Sequence, residues 1–544
     1  MKRTDEKRLE TLSPFEIKNT LIDLAQNTHE KSMINAGRGN PNWVATAPRE
    51  AFFQLGMFAL EESKSNFSGY EGFGGMGIQQ DISLRFLQFC EKHEDQEGVQ
   101  FLIEAFQFIT EQYQVDGDAL IDEWVEGILG NNYPVPDRML KYSELIARKY
   151  IEQEMAGSQP LPAGKFDLFA VEGGTAAMVY IFNTLKSNRL LNKGDTIAIG
   201  APIFTPYIEM PELEDYSLNK VEIMATEESA WQIPDSELEK LNDPSVKAFF
   251  LVNPSNPASV RLSDETLFKI AEIANRRPEL ILLTDDVYGT FADNFTSLAM
   301  LAPKNTILVY SYSKYFGATG WRLGVIGVHE DNNFDRMIAD LPEQTRDTLT
   351  ARYQGISLEP SKIKFIDRLV ADSRAVALNH TAGLSTPQQI QMTMFSLLSL
   401  MQGGEEYKRL AKQIVRRRYN TLMQKNLATP TIAEGDKTGA FYYVEIDLKE
   451  IAQTIHSEGF FSWLEETYEP LDFLVRLAEE HGVIVMPGAG FDAPTWSLRV
   501  SLANLEEAQY SNITDAMNTV MQSYVARYEA LCLSLIHISE PTRR

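Results

Sequence analysis

Ser311-Tyr312-Ser313-Lys314-Tyr315-Phe316-Gly317-Ala318-Thr319-Gly320-Trp321-Arg322-Leu323-Gly324 is the stretch on which the fold turns. A β-rich run, Thr306-Ile307-Leu308-Val309-Tyr310, leads into it, and a second apolar run, Val325-Ile326-Gly327-Val328, follows. Between them, glycines and hydroxyls surround a single lysine, and an arginine stands eight residues further on. A lysine at a strand end beside phosphate-binding groups suits covalent catalysis. A desolvated amine near other cations gives up its proton and becomes nucleophilic. A solvated loop lysine is the competing reading; the rest of the chain chooses between them.

Working outward, short apolar runs alternate with helical stretches from about residue 165: Leu168-Phe169-Ala170-Val171, Thr196-Ile197-Ala198-Ile199, Ala248-Phe249-Phe250-Leu251-Val252, Leu280-Ile281-Leu282-Leu283 and Ile307-Leu308-Val309-Tyr310. That pattern predicts βαβ units in a parallel sheet, where ligands sit outside the C-terminal strand ends. A polar cluster follows each run. Glu172-Gly173-Gly174-Thr175-Ala176-Ala177 opens a helix, whose free N–H groups and positive dipole end suit a phosphate. Ala201-Pro202-Ile203-Phe204-Thr205-Pro206-Tyr207 is either a proline-rich turn or a platform that stacks Phe204 on a planar ring. Asn253-Pro254-Ser255-Asn256-Pro257-Ala258-Ser259 is a double Asn-Pro turn, and a buried Asn there can also donate to a ligand oxygen. Asp285-Asp286-Val287-Tyr288 offers a carboxylate for Mg²⁺, without a Walker lysine motif before it, or for a protonated ring nitrogen. With Lys314, these strand ends carry a phosphate cradle, a stacking ring, an amide donor, a carboxylate and an amine. Those are the needs of a pyridoxal phosphate pocket.

On these residues the chain resembles the fold-type I pyridoxal-phosphate enzymes of the aspartate aminotransferase class. S-x-S-K followed by G-x-R-x-G, N-P-x-N-P and D-x-x-Y stand in that family's order and spacing, over roughly residues 30–510. The resemblance implies an α/β fold, the PLP-dependent transferase fold type I. Its large domain has a mostly parallel seven-stranded sheet flanked by helices, beside a smaller α/β domain. It implies that Lys314 is the catalytic lysine, binding pyridoxal 5′-phosphate covalently and shuttling the proton. Asp285 would pair with the pyridine nitrogen, Asn256 and Tyr288 with the ring O3′, and Phe204 with the ring face. Gly174, Thr175, Ser311 and Arg322 would hold the phosphate, with Tyr70 reaching it from a neighbouring subunit. Arg499, in Leu498-Arg499-Val500-Ser501, would clamp the substrate α-carboxylate. The chain departs from the pattern at Ala258-Ser259, where the family has Thr-Gly.

The remaining sequence sets boundaries. At 544 residues, 44% hydrophobic and 23% charged, the chain has ordinary globular composition with room for sizeable cores. A net charge of −26 argues against a nucleic-acid partner, which needs a basic surface. Cys90 and Cys532 give neither a disulfide framework nor a metal spacing, consistent with a cytoplasmic protein. No apolar h-region follows the charged start Met1–Arg8, and no run of apolar residues is long enough for membrane insertion. We expect an N-terminal segment at 1–140, contributing to the small domain and carrying acidic helices, a large cofactor-binding domain at 141–400, and a C-terminal small domain at 401–532. Leu533 to Arg544 looks foreign, like a translated adapter, and is expected to stand apart with the natural C-terminus missing. Strands are predicted at Ala440-Phe441-Tyr442-Tyr443-Val444, Val483-Ile484-Val485-Met486 and Leu498-Arg499-Val500-Ser501-Leu502.

Length separates this chain from ordinary class I aminotransferases. Its length, the loop Arg38-Gly39-Asn40-Pro41-Asn42-Trp43 and Tyr133-Pro134-Val135-Pro136-Asp137-Arg138-Met139-Leu140 resemble the bacterial aspartate 4-decarboxylases. That resemblance implies conversion of L-aspartate to L-alanine and CO₂, with aspartate transaminase activity toward 2-oxo acids on the side. It also implies a homodimer with shared active sites, assembling into rings of dimers such as a dodecamer. Arg38 and Gly39 are the candidates for the distal carboxylate, since a guanidinium offers a bidentate fork. The alternative is an aspartate or aromatic aminotransferase carrying insertions. A third reading, a regulator on the same fold, lacks any DNA-binding motif.

Overall fold

The computed structural model describes every residue except 2, 30–32, 68–70, 377, 379–380, 425–437 and 540–544. Strand β1 (Ile34–Asn35) lies near the N-terminus, followed by β2 (Phe166–Val171), β3 (Thr196–Ala201), β4 (Asn219–Met224), β5 (Val246–Val252), β6 (Ile281–Asp285), β7 (Thr306–Ser311) and β8 (Gly324–His329). Then come β9 (Tyr443–Asp447), β10 (Val483–Ile484), β11 (Met486–Pro487) and β12 (Ser497–Ser501).

Strands β2 to β8 form one seven-stranded sheet in the order β2-β8-β7-β6-β5-β3-β4. The ladders from β4 through β3, β5 and β6 to β7 are parallel, and β8 alone runs against both its neighbours. The central strands are apolar over most of their length because helices cover both faces; β7 and β8 are buried at every position. One core lies on the face that packs against the helix Gly174–Ser187, and another lies under the helix Asp264–Arg276. This topology puts the C-terminal ends of β2, β3, β5, β6 and β7 along one rim, as predicted.

The small domain packs β11, β12 and β9 as an antiparallel sheet, and β1 pairs with β10 in parallel. The start of the chain packs with its C-terminal part: β1 pairs with β10, and the helix Pro14–His29 lies against Pro470–His481. Two strand boundaries shift from the sequence reading. Phe441 takes φ +53° and Gly439 bridges to Val260, so β9 begins only at Tyr443. The predicted Val483–Met486 strand splits, because Ile484 pairs with β1 while Met486 pairs with β12. The acidic region builds the helices Ala47–Ser65, Ile82–Lys92, Val99–Tyr113 and Gly117–Leu129 around a separate core of Leu55, Phe58, Phe86, Leu102 and Trp124. The last helix, Glu507–Ser539, runs on into the segment expected to stand apart.

Candidate active site

A cavity of about 350 Å³ opens at the strand-end rim, between the large sheet and the small domain. It collects Gly174, Thr175, Phe204, Asn256, Asp285, Tyr288, Ser311, Lys314 and Arg322 from the large domain, Arg38 and Gly39 from the N-terminal loop, and Arg499 from β12. Every candidate residue is therefore in one place except Tyr70, which lies outside the described residues.

Lys314 Nζ donates to the Gly39 carbonyl at 3.1 Å. That approach explains the glycine: a Cβ at residue 39 would sit 2.4 Å from the Tyr443 hydroxyl and 3.1 Å from Lys314 Nζ. The Tyr442 hydroxyl donates to the same carbonyl at 2.7 Å, pinning the loop from the small-domain side. Asn42 and Trp43 anchor its other end, through Arg418 and the Tyr315 carbonyl.

Asp285 closes β6 and is buried. Its carboxylate accepts from the Tyr207 hydroxyl at 3.2 Å and from the Val287 N–H at 3.3 Å. Burial nonetheless pushes its pKa up to about 6, against the lowering pull of those bonds and of Lys314. It is a carboxylate lacking a close cation. Neighbouring Asp286 turns away from the cavity and accepts from Thr284 Oγ1 at 2.5 Å.

Arg322, in the left-handed region at φ +57°, lays its guanidinium on the carbonyls of Thr319 (3.0 Å) and Glu172 (3.2 Å). It passes over Gly173, where a Cβ would lie 2.5 Å from Nη2 and where φ is +87°. Only glycine satisfies both conditions. The helix Gly174–Ser187 begins beside it, with Gly174 and Thr175 lining the cavity. The Ser311 hydroxyl lies 3.0 Å from that of Ser313 on the same wall.

Arg499 is 2% exposed, and burial lowers its pKa. Nη1 reaches Asn256 Oδ1 at 3.1 Å, Nη2 reaches the Gly37 carbonyl at 3.3 Å, and Nε is without a partner. Its planar face rests on the rings of Tyr443 (4.2 Å) and Phe491 (4.6 Å). A buried guanidinium held by neutral groups is set up for an incoming carboxylate.

The structure also brings in residues that sequence reasoning passed over. Lys18 lines the cavity from the helix Pro14–His29; burial, then Arg38 and Arg499, lower its pKa. Phe15, from the same helix, packs edge-on to Phe204 at 6.2 Å. Tyr443 sits among Lys314, Arg499 and Tyr288, whose hydroxyl donates to it at 3.2 Å. Helical spacing near residue 15 and an aromatic in a strand both read as core, so neither carried a signal. The wall thus presents Lys18, Arg38, Lys314, Arg322 and Arg499 against the single carboxylate of Asp285. Among the described residues no carboxylate forms an ion pair with any of the four besides Lys314.

Comparison with known proteins agrees with this architecture. The family model described as aminotransferase class I and II matches residues 131–517. A Pseudomonas protein named bifunctional aspartate aminotransferase and L-aspartate beta-decarboxylase is 50% identical over 529 residues, 97% of this chain and 99% of that one. Among solved structures, an aspartate aminotransferase double mutant from Thermus thermophilus superposes with TM-score 0.57 at 16% identity, covering 95% of this chain and 98% of that one. The aromatic aminotransferase of Pyrococcus horikoshii gives TM-score 0.56 at 17% identity, covering 92% and 99%. At those identities the two structures speak for the fold, and the sequence matches for the lineage: the chain belongs to the class I and II aminotransferase family.

Proposed function

We propose that this protein removes the β-carboxylate of L-aspartate, giving L-alanine and CO₂, and transaminates aspartate as a side activity. The supporting observation is the pocket's charge: five cationic side chains and one carboxylate line it, in a chain of net charge −26. Such a concentration of positive charge fits a phosphate together with a dicarboxylate. The name of the Pseudomonas relative supports the same reading.

Pyridoxal 5′-phosphate, the cofactor of this family, fits the residues present. The open helix start at Gly174, the bare Gly173 and Arg322, which is bonded to carbonyls and to no carboxylate, suit its phosphate, and the cation-poor carboxylate of Asp285 suits its protonated ring nitrogen. Phe204 would cover the ring; Asn256 and Tyr288 would take its hydroxyl. When bound, the cofactor supplies an electron sink conjugated to the substrate amine.

The chain's own residues would then do the following work. Arg499 binds the α-carboxylate through Nε and the fork it shares with Asn256. Lys314 holds the cofactor and moves the proton at substrate Cα. Asp285 keeps the ring nitrogen protonated. Arg38, exposed at the mouth, together with Lys18 receives the distal carboxylate. Tyr288 lines the cavity, and behind it Tyr442, Phe291 and Trp43 pack ring against ring and limit water, whose entry favours transamination.

Purified protein given aspartate and the cofactor, without any 2-oxo acid, should release CO₂ and alanine in equal amounts. Oxaloacetate without alanine would instead select the plain aminotransferase.

A homodimer, itself part of a larger assembly in the cytoplasm, is the quaternary reading. Phe53, Met57 and Leu60 stand exposed one helical turn apart on Ala47–Ser65, with Phe73, Met76 and Ile78 beyond them. No described helix is long and apolar enough to cross a membrane. A monomer mass by light scattering would remove the assembly from the account.

A further inference from the structure

Decarboxylation asks more of the pocket than transamination does. Replacing a C–C bond by a C–H bond requires a proton at Cβ, while the proton taken from Cα must return to the same carbon to give alanine. Lys314 is committed to Cα, and a second donor near it is needed.

Tyr443 meets the geometric conditions. It is 3% exposed and lines the cavity as the first residue of β9. Its hydroxyl and Lys314 Nζ flank the same point beside Gly39, 2.4 Å and 3.1 Å from where a Cβ would lie. Its ring carries the Arg499 guanidinium at 4.2 Å. The Tyr288 hydroxyl donates to it at 3.2 Å, leaving the Tyr443 hydrogen free to be directed into the cavity.

The backbone is specialised to put it there. Ser259 stands where the resembled family has glycine, and it still adopts φ +61°. A serine is strained in that region. Its hydroxyl accepts from the N–H of Tyr442 at 3.0 Å and of Tyr443 at 3.3 Å. The side chain that makes the turn strained thus fixes the register at which Tyr443 enters the site.

We propose that Tyr443 is a further catalytic residue, the acid that protonates substrate Cβ as CO₂ departs; this rests on the decarboxylase reading above. The bond between Cβ and the carboxylate breaks, its electron pair stays with the substrate, and Cβ takes the phenolic proton. The phenolate left behind faces Lys314 Nζ, the Arg499 guanidinium and the Tyr288 hydroxyl, with Tyr442 as the remaining titratable neighbour. It regains a proton from solvent, so each turnover consumes one proton and releases one CO₂. Burial opposes ionisation of Tyr443, yet Lys314, Arg499 and the Tyr288 hydrogen bond together hold its pKa below the ordinary range. Tyr288, Tyr442 and Tyr310 are all shifted upward, burial being the leading cause in each.

The test is Tyr443→Phe, read in two ways. In the cofactor-free protein, phenolate absorbance followed against pH should show one tyrosine ionising ahead of the rest, and the variant should lack that step. In the loaded enzyme, alanine formation should fall roughly 100-fold while oxaloacetate formed in a single turnover changes by less than about threefold. Equal loss of both products, or an unchanged phenolate titration, would overturn the assignment. If Tyr443→Phe does not fold, Tyr288→Phe in the cofactor-free protein should move the early step to higher pH, and an unmoved step counts against it. A wild-type enzyme making no alanine would refute the decarboxylase reading separately, while the cofactor-free titration would still report on Tyr443.

Discussion

At the floor of the pocket, Asn256, Asp285, Tyr288, Tyr443 and Arg499 are each at most 7% exposed and bonded to neutral partners or to one another. At its mouth, Arg38, Thr175 and Arg322 are exposed, while Lys18 and Phe204 are half-buried. The same residue type, arginine, stands at both levels. Arg499 has lost its water and has no carboxylate in return; Arg38 keeps its water and gives little up when a substrate arrives. Recognition that depends on an unsatisfied buried group is strong, because the group stays unsatisfied whenever the ligand is wrong. Recognition by an exposed charge is weak and screened by salt. The floor should therefore set what reacts, and the mouth should tune how fast it enters.

That contrast can be broken in order of size. Lys314→Ala should abolish turnover, lowering kcat by at least about 10⁴-fold with cofactor still retained noncovalently, as absorbance and product assays would show. Arg499→Gln should lower kcat/KM for aspartate by roughly 10²-fold or more, since about 3 kcal/mol is typical for losing one side of a buried charged pair. A loss below about fivefold would remove the distinction between floor and mouth.

Asp285→Asn separates function from stability. The folded pKa of Asp285, about 6, lies above its ordinary 3.8. Its contribution to stability is then fully present below about pH 4 and is lost as pH rises through about 6. The shift corresponds to about 3 kcal/mol at neutral pH, an upper bound for one buried group. The cofactor-free variant should melt higher than cofactor-free wild type at pH 8, equal it near pH 4, and be nearly inactive. The cofactor should restore wild-type stability at pH 8 by supplying the cation. Smallest of all, Arg38→Ala should change KM for aspartate by about threefold or less, with the effect shrinking as salt rises. An unchanged KM and product ratio at low salt would place Arg38 outside the site.

The large sheet was legible in the sequence because its interior strands are covered on both faces and are apolar over most of their length. Strand β4 (Asn219–Met224) was not, since it is an edge whose residues are mostly exposed or half-buried and carry Asn219, Lys220 and Glu222. The gathering of the strand-end residues into one cavity was also legible: each follows its own strand, and strand ends share a rim. Asp285 could be told from Asp286 only through the family pattern, and the structure shows why the two differ, one closing the strand inside the cavity and the other sealed against Thr284. What stayed hidden came from far along the chain. Lys18 and Tyr443 enter through the packing of the N-terminal helix and β9, and their residue types are ordinary in a helix and a strand. Ser259 looked like a loosened turn; its hydroxyl holds two backbone N–H groups of β9, a contact spanning more than 180 residues.

Two lysines, Lys18 and Lys314, face the cavity, and the cofactor belongs on one of them. Reducing the loaded enzyme with borohydride, digesting it and mapping the modified peptide by mass spectrometry tests that assignment directly. The phosphopyridoxyl group should be found on Lys314, within Ser313-Lys314-Tyr315. The group on Lys18, or no modified lysine in a preparation that still makes alanine, would contradict it.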